Sequence, residues 1–414
     1  MHTHLSHTEQ TFIQAHLTDD VRALLLRPNP AGLDLKKLAS QISARQKARE
    51  KLPSWYVNDQ LIFPPALSVE QASSESTAIY KASLVQGDLL LDLTGGMGVD
   101  TWAFAQQVAQ VVYVEHRPDL AELAAHNLPL LGISNVTVEV GDGLAIIDQN
   151  ETNFTSLSSL AKQPADWIYL DPHRRDELGG RVVKLENCEP DITQPDLVSG
   201  LFSKTRKILI KASPLLDIDA TVRQLSGTVE SVHIVAVQGE VKEILFTLSN
   251  QTIAKDNIIF NTVNLTHQAA IRFNFQWQGE RTADVKLGNP QRYVYEPNAA
   301  VLKAGAFRLM ATRFGLTKLA PNSHLYTSDE LKGDFPGRVF EIQTIIKPDG
   351  KALKLAVPDL KANLTVRNFP QTVAELRKKL SLRDGGSVYI LATTLLNGDK
   401  RLLVTQKIDQ NQFQ

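Results

Sequence analysis

The sequence predicts an α/β protein: a mostly parallel, seven-stranded sheet covered by helices on both faces, preceded by a helical region and followed by α+β domains. Three observations predict it. Between residues 88 and 250, seven short β-rich runs alternate with helical patterns, the texture of βαβ units. A glycine-rich turn stands where the first of these runs meets the first helix. From about residue 335 the chain gives mixed strands with one or two helices, which suggests a small α+β domain.

In chain order, residues 1–80 read as a helical region. In TFIQAHLTDDVRALLL, the apolar residues Phe12, Ile13, Leu17, Val21, Leu24 and Leu25 follow helical spacing until Pro28 and Pro30 stop the helix. DLKKLASQISARQKAREKL is a second candidate, ended by Pro53, and SVEQASSESTAIYKASLV a third, with Ser68 as its cap and Gln71 three residues later. Residues 81–250 hold the runs DLLLDL, VVYVE, VTVEV, DWIYLD, KILIKA, VHIVAVQ and KEILFTL, with helices expected after the first five. The last two are separated only by Gly239, Glu240 and Val241, so a hairpin should turn the final strand antiparallel. Residues 251–330 begin with a polar stretch, read as a connector or the first strands of another unit, and continue with a strand and amphipathic helix in YVYEPNAAVLKAGAFRLMATRFG. Residues 331–414 give RVFEIQTII, ALKLAVP, KANLTVRNFP, the basic helix TVAELRKKL, SVYILATTLL and RLLVTQKI.

Composition narrows the class. With 43% apolar and 21% charged residues over 414 positions, the chain is expected to fold as several globular domains. No stretch approaches the ~18–20 apolar residues that cross a bilayer, and MHTHLSHTEQ lacks the layout of a secretory signal. A cytoplasmic location is therefore expected. The lone Cys188 excludes an internal disulfide framework and a multi-cysteine zinc site, and the ten histidines show no HExxH spacing, so no metal is expected. The formal net charge of −1 hides a division: residues 1–250 carry −10 and residues 251–414 carry +9. A basic half suits a polyanion whose phosphates it can neutralise; mutual attraction of the halves, or a solvated face, accounts for it equally well.

The central motif is LLLDLTGGMGVDTWAFA. A buried strand reaches Asp92, then Thr94, Gly95, Gly96, Met97 and Gly98 turn into a helix. Small residues let the chain turn sharply and let a ligand approach the backbone. The next strand ends at Glu115, followed by His116, where a carboxylate can accept from both ribose hydroxyls. The third leads into Gly141, Asp142 and Gly143, where an acid can meet an adenine amino group. A dinucleotide fingerprint would require glycine where Thr101 stands, and that mismatch, with Asp142, favours S-adenosylmethionine over NAD.

The fourth strand ends in DWIYLDPHRRDELGGR, so Asp171, Pro172, His173, Arg174 and Arg175 leave the carboxyl edge of the sheet, where open α/β folds bind substrate. Methyl transfer from a sulfonium is an in-line displacement, governed by how the nucleophile is held. Asp171 and the carbonyls after it can orient an amino group, and Arg174 and Arg175 can clamp a phosphate. The bland alternative pairs these arginines with Asp176, Glu177 or Glu186. Lys81, in AIYKA, reads as a surface lysine or a contact to cofactor or substrate.

With the first motif, DPHRR, KASPLLDID, YVYEPNAAVLKAGAF, NSHLYTS, FPGRVFEI and ANLTVRNFP, nearly the whole chain resembles the bacterial class I S-adenosylmethionine-dependent methyltransferases with a ferredoxin-like segment and a C-terminal THUMP-like domain. The resemblance implies a Rossmann-like methyltransferase domain, S-adenosylmethionine as cofactor, and RNA, transfer or ribosomal, as partner, because THUMP domains are RNA-binding modules of RNA-modifying enzymes. It also implies that Asp92, Thr94, Gly96, Gly98, Glu115 and Asp142 form the cofactor shell and Asp171 to Arg175 the substrate edge. Amino-methylating relatives carry two prolines and a stacking aromatic after the acidic residue; here His173 and Arg174 take the last two places, so stacking is not supplied in the usual way. Cys188 is the only candidate for a uridine-carbon nucleophile, and KLENCEPDI does not fit that role well. In the basic C-terminal region, Arg367, Asn368, Arg377, Lys378, Lys379 and Arg383 can form a phosphate-binding stripe with Phe369 for stacking; equally, Phe369 is core and the lysines a solvated face.

Overall fold

The computed structural model describes residues 4–28, 32–147, 164–174, 184–225 and 227–410. The chain divides into two compact units, residues 1–230 with 244–253, and residues 231–243 with 254–414.

The first unit opens with helices that differ in number from the sequence reading. The single helix expected over Phe12–Leu25 is two, His7–Ala15 and Val21–Leu25, because the Asp20 carboxylate accepts the N–H groups of Arg22 and Ala23 and starts a new helix there. Likewise the third candidate splits into Ala66–Gln71 and Glu75–Ala82; Ser74, not Ser68, caps the second, its hydroxyl accepting from Thr77 N. Leu35–Lys51 forms as expected, and its Leu35, Leu38 and Ile42 pack with Leu120 and Leu123 of the helix Pro118–Leu130.

The strands of this part of the chain are β1 (Leu89–Asp92), β2 (Gln110–Glu115), β3 (Val136–Val140), β4 (Ala165–Leu170), β5 (His173–Arg174), β6 (Cys188–Glu189), β7 (Thr205–Ala212), β8 (Val229–Val237) and β9 (Glu240–Ser249). β1 lies at the centre, parallel to β2 and β4; β3 extends the sheet beyond β2, and β7 beyond β4. Residues 244–249 of β9 then run antiparallel to β7. Val111, Val112, Tyr113 and Val114 are all buried, as a strand covered on both faces requires. The helices Val99–Phe104, Pro118–Leu130, Pro195–Phe202 and Ile218–Gln224 follow β1, β2, β6 and β7. β5 and β6 make a short antiparallel ribbon beyond the end of β4.

In the second unit, β8 runs parallel to β10 (Ile259–Leu265), which pairs antiparallel with β11 (Ala270–Gln276). The polar stretch after residue 250 therefore holds strands, and the helix Trp277–Thr282 follows them. Gln238 and Gly239 between β8 and β9 both have positive φ, 51° and 83°, the geometry of a two-residue hairpin turn. A second sheet contains β12 (Tyr293–Pro297), β13 (Thr317–Lys318), β14 (Tyr326–Ser328), β15 (Gly337–Ile346), β16 (Asn363–Arg367), β17 (Val388–Thr394) and β18 (Lys400–Lys407), in the order β13-β14-β12-β15-β18-β17-β16. The amphipathic helix expected after β12 is broken at Gly305 (φ 76°) into Ala299–Ala304 and Phe307–Phe314. Among the described residues no helix is long and apolar enough to cross a membrane.

Candidate active site

The site is built where β1 stops. Asp92 is its last residue, and the turn Leu93–Gly98 is stitched to both neighbouring strands: Leu93 N donates to Tyr169 O (3.1 Å) and Gly95 N to Val114 O (2.9 Å). Gly95 has to be glycine, since a Cβ there would lie 2.1 Å from the Tyr113 ring. Gly98, at φ 84°, opens the helix Val99–Phe104.

Glu115, at the tip of β2, is almost wholly buried. One carboxylate oxygen accepts from Gly96 N (2.7 Å), the other from Arg117 N (2.8 Å), with His116 Nδ1 3.0 Å away and its ring exposed. Asp142, beyond β3, is exposed and accepts from Leu144 N (2.9 Å). Gly143 after it is pressed against the start of the turn, where a Cβ would meet Leu93 O at 2.3 Å. Three strand tips thus converge on a cavity of about 610 Å3 whose lining includes Thr94, Gly95, Gly96, Met97, Gly98, Glu115, His116, Asp142, Gly143, Asp171 and His173.

Asp92 is not part of that lining. It has no exposed surface and sits beneath the turn, its oxygens bonded to Thr94 N (3.1 Å) and Thr101 Oγ1 (2.5 Å). The side chain expected at the cofactor braces the turn from below, and Thr101, at the position of a dinucleotide glycine, bonds to it. Burial pushes Asp92 up to about 7, with the Thr101 hydrogen bond opposing and the nearby Asp100 charge adding.

Beside Asp92 lies a group that the sequence reading missed. Asp100 accepts from Ser73 Oγ (2.8 Å) and Tyr169 Oη (2.8 Å), and Lys81 Nζ lies 3.2 Å from its other oxygen. Burial works to raise Asp100, but Lys81 and Lys211, with the two hydroxyls, hold it below the ordinary carboxylate range. Lys81 is fully buried rather than a surface lysine. Lys211, on β7, reaches Asp171 at 2.5 Å, while Asp171 N donates to Thr94 Oγ1 (2.7 Å). The available signal was a charge within an apolar element: Lys81 in AIYKA and Lys211 in KILIKA.

Pro172 adjoins Asp171 but lines a second, smaller cavity. Arg174 lies on β5; Arg175 falls outside the described residues, as do Asp176 and Glu177. Glu186, the other partner considered for the arginines, bonds Lys184 and Gln224. Cys188 is buried and its thiol donates to Lys184 O. Among the described residues no group of three His, Cys, Asp or Glu side chains is placed to hold a metal ion.

In the second unit the basic residues separate. Arg367 is committed to the buried Glu296, which Arg338 also grips, and Asn368 (φ 53°) donates to Thr394 O. Arg377 pairs with Asp384, and the exposed Arg383 donates to Asp359 O (2.9 Å). Lys378 and Lys379 are exposed. Phe369 is half-buried against the Leu353–Leu376–Ile390 core, which favours its packing role over stacking.

The first unit fits S-adenosylmethionine. A Cβ at Gly96 would find no atom nearer than Thr94 O at 3.8 Å, so the backbone opens onto cavity space, and two acids from successive strand tips face the same volume. Cavity size falls within the ~300–1,000 Å3 of small-molecule sites. Fold and site define a class I S-adenosylmethionine-dependent methyltransferase.

Comparison with known proteins agrees. A crystal structure from Porphyromonas gingivalis W83, described as a "putative methyltransferase", is 34% identical, covers 97% of this chain and 98% of that one, and superposes with a TM-score of 0.84. Two Mycobacterium tuberculosis proteins, from strains CDC 1551 / Oshkosh and ATCC 25618 / H37Rv, are described as uncharacterized S-adenosylmethionine-dependent methyltransferases. Each is 23% identical over 358 residues, 85% of this chain and 89% of the relative. Residues 293–336 match a ferredoxin-like domain, 337–407 a THUMP domain-like family, and 60–151 the protein-L-isoaspartate(D-aspartate) O-methyltransferase family. The chain belongs to the family of S-adenosylmethionine-dependent methyltransferases that carry ferredoxin-like and THUMP-like domains.

Proposed function

We propose that this methyltransferase modifies a base in RNA, with residues 81–250 as the catalytic domain, 251–330 as connector and ferredoxin-like segment, and 331–414 docking the RNA. The observation that carries the reading is the THUMP domain-like match over residues 337–407. The net charge of +9 on residues 251–414 supports it, because lysine and arginine gain affinity by displacing counterions from phosphates. The isoaspartate methyltransferase match ends at residue 151, before β4, and so speaks for the cofactor half rather than the acceptor.

Bound cofactor supplies a methyl activated on a sulfonium; the protein's task is to hold the nucleophile in line with it. In this reading the Thr94–Gly98 turn receives the methionine end, Glu115 the ribose hydroxyls and Asp142 the adenine amino group. Asp171 accepts a hydrogen bond from the acceptor, and Lys211 keeps that carboxylate in place. Arg174 and Arg175 remain the candidates for a phosphate clamp.

Transfer of labelled methyl from S-adenosylmethionine into cellular RNA, digested to nucleosides, tests the reading. Label in one nucleoside is expected. Label in protein or small molecules instead, or none despite cofactor binding by calorimetry, would reject it.

A further inference from the structure

We propose that the second unit carries a seat for one phosphodiester of a nucleic-acid strand, in which Arg338 and Arg367, both locked onto the buried Glu296, offer their remaining N–H groups to the non-bridging oxygens. This rests on the RNA reading above.

Four stretches far apart in the sequence meet here, and the cofactor site uses none of them. YVYEPNAAVLKAGAF brings Glu296 and Asn298, NSHLYTS brings His324, FPGRVFEI brings Arg338 and ANLTVRNFP brings Arg367. Glu296 on β12 stands opposite Arg338 on β15 in the antiparallel register. The strands come this close because position 337 is glycine; a Cβ there would lie 2.1 Å from Glu296 O. One carboxylate oxygen of Glu296 accepts from Arg338 Nε (3.0 Å) and Nη2, and the other from Arg367 Nε (2.9 Å) and Nη2. Arg338 Nη2 also donates to Thr365 Oγ1 (3.3 Å), two residues before Arg367 on β16. His324 joins from the loop before β14: Ser323 Oγ lies 2.8 Å from Thr393 Oγ1, and Thr393 is the register partner of Arg367.

A tie between strands would need less. One arginine suffices to neutralise a buried carboxylate, and the second leaves the group at +1. Glu296 is 2% exposed, whereas the side chains of Arg338 and Arg367 are 41% and 36% exposed, so the excess charge stands at the surface. Among the described residues Nη1 of each arginine has no partner, and Asn298 Nδ2 and His324 Nδ1 are buried without one. His324 is held at φ 51° with its ring stacked on Phe307. Burial, then Lys318 and Arg367, push it down to about 4, so the ring is neutral and donates from one nitrogen only.

These donors call for an oxyanion. Guanidinium edges suit phosphate oxygens, and Glu296 already fixes both side chains, so little rotamer entropy is lost on binding. A phosphodiester carries one negative charge, equal and opposite to that of the group. A carboxylate carries the same charge but is a single anion, and residues 251–414 hold +9, an excess that a repeating polyanion neutralises. Such a contact sets where the strand lies rather than which base is read.

Because either arginine alone keeps Glu296 paired, Arg338→Gln and Arg367→Gln should both fold, which thermal melts check. In fluorescence anisotropy with full-length protein and a short labelled single-stranded RNA, each variant should bind about tenfold more weakly than wild type. The slope of log K against log salt should shrink by about 0.7, the share of one phosphate on a single strand. Phosphorus NMR of dimethyl phosphate isolates the seat: wild type should broaden the line, and either variant should not. RNA bound equally by wild type and both variants, with equal salt slopes, would overturn the seat and leave the RNA reading standing. Dimethyl phosphate broadened by wild type alone, with no RNA bound, would uphold the seat and reject RNA as the partner. Displacement of the RNA by polyglutamate as readily as by unlabelled RNA would assign the seat to a carboxylate-bearing protein and overturn the proposal.

Discussion

Asp92 is a carboxylate with no exposed surface and two other carboxylates, Asp100 and Asp171, among its electrostatic neighbours. Its folded pKa of about 7 against an ordinary 3.8 means that ionising it opposes folding. Below the unfolded value both states hold the proton and nothing is lost; between pH ~4 and ~7 stability should fall as pH rises, by on the order of 4 kcal/mol in all. Asp92→Asn should flatten this decline in thermal melts taken at pH 5 and pH 8, and an unchanged slope would show that Asp92 is ionised throughout. Lys81 presents the opposite case. Lys81→Met leaves Asp100 buried with less compensation and should cost about 3–5 kcal/mol, while Lys81→Met with Asp100→Leu should recover much of it. Chemical denaturation of both variants checks this; equal losses would mean that the pair is not coupled.

At the scale of elements, the site depends on how closely the strand tips approach. Gly143 carries the tip of β3 against Leu93 O, with 2.3 Å left for a Cβ. Gly143→Ala must therefore push Asp142 away from the turn, and S-adenosylmethionine affinity by calorimetry should drop at least about tenfold. Retention of wild-type affinity would show that this tip can yield without cost. In the second unit, His233 on β8 is buried and depressed to about 4, by burial and then by Arg272. Its neutral form belongs to the folded state, so this contribution to stability is present above pH ~6.5 and lost as pH falls toward 4. His233→Gln should remove that part of the acid sensitivity, read from melts between pH 7 and pH 4. The elements were largely legible in the sequence because β1, β2, β4 and β7 are mostly buried runs of β-formers, with patterns of helical period between them. Helix ends were less so: Asp20 and Ser74 read as members of continuous patterns, and only their hydrogen bonds to Arg22, Ala23 and Thr77 make them starts.

For the whole molecule, the opposite charges of residues 1–250 and 251–414 bear on partners rather than on fold. The proposed RNA binding predicts that affinity falls steeply as salt rises, and that Lys378→Glu with Lys379→Glu lowers both affinity and salt slope without altering the cofactor's affinity. A flat salt response would remove phosphates as the partner. By itself the sequence determined the βαβ series, the glycine turn and the acids at three strand ends, because those depend on local chain geometry and on periodicity, which neighbouring residues express directly. Tertiary structure decided which charges are buried and with whom. Lys81 and Lys211 meet Asp100 and Asp171 across tens of residues, Asp92 goes beneath the turn rather than into the cavity, and Arg367 is taken by Glu296. Burial and pairing are properties of the packed chain, and no local pattern encodes the partner that a charged side chain will find.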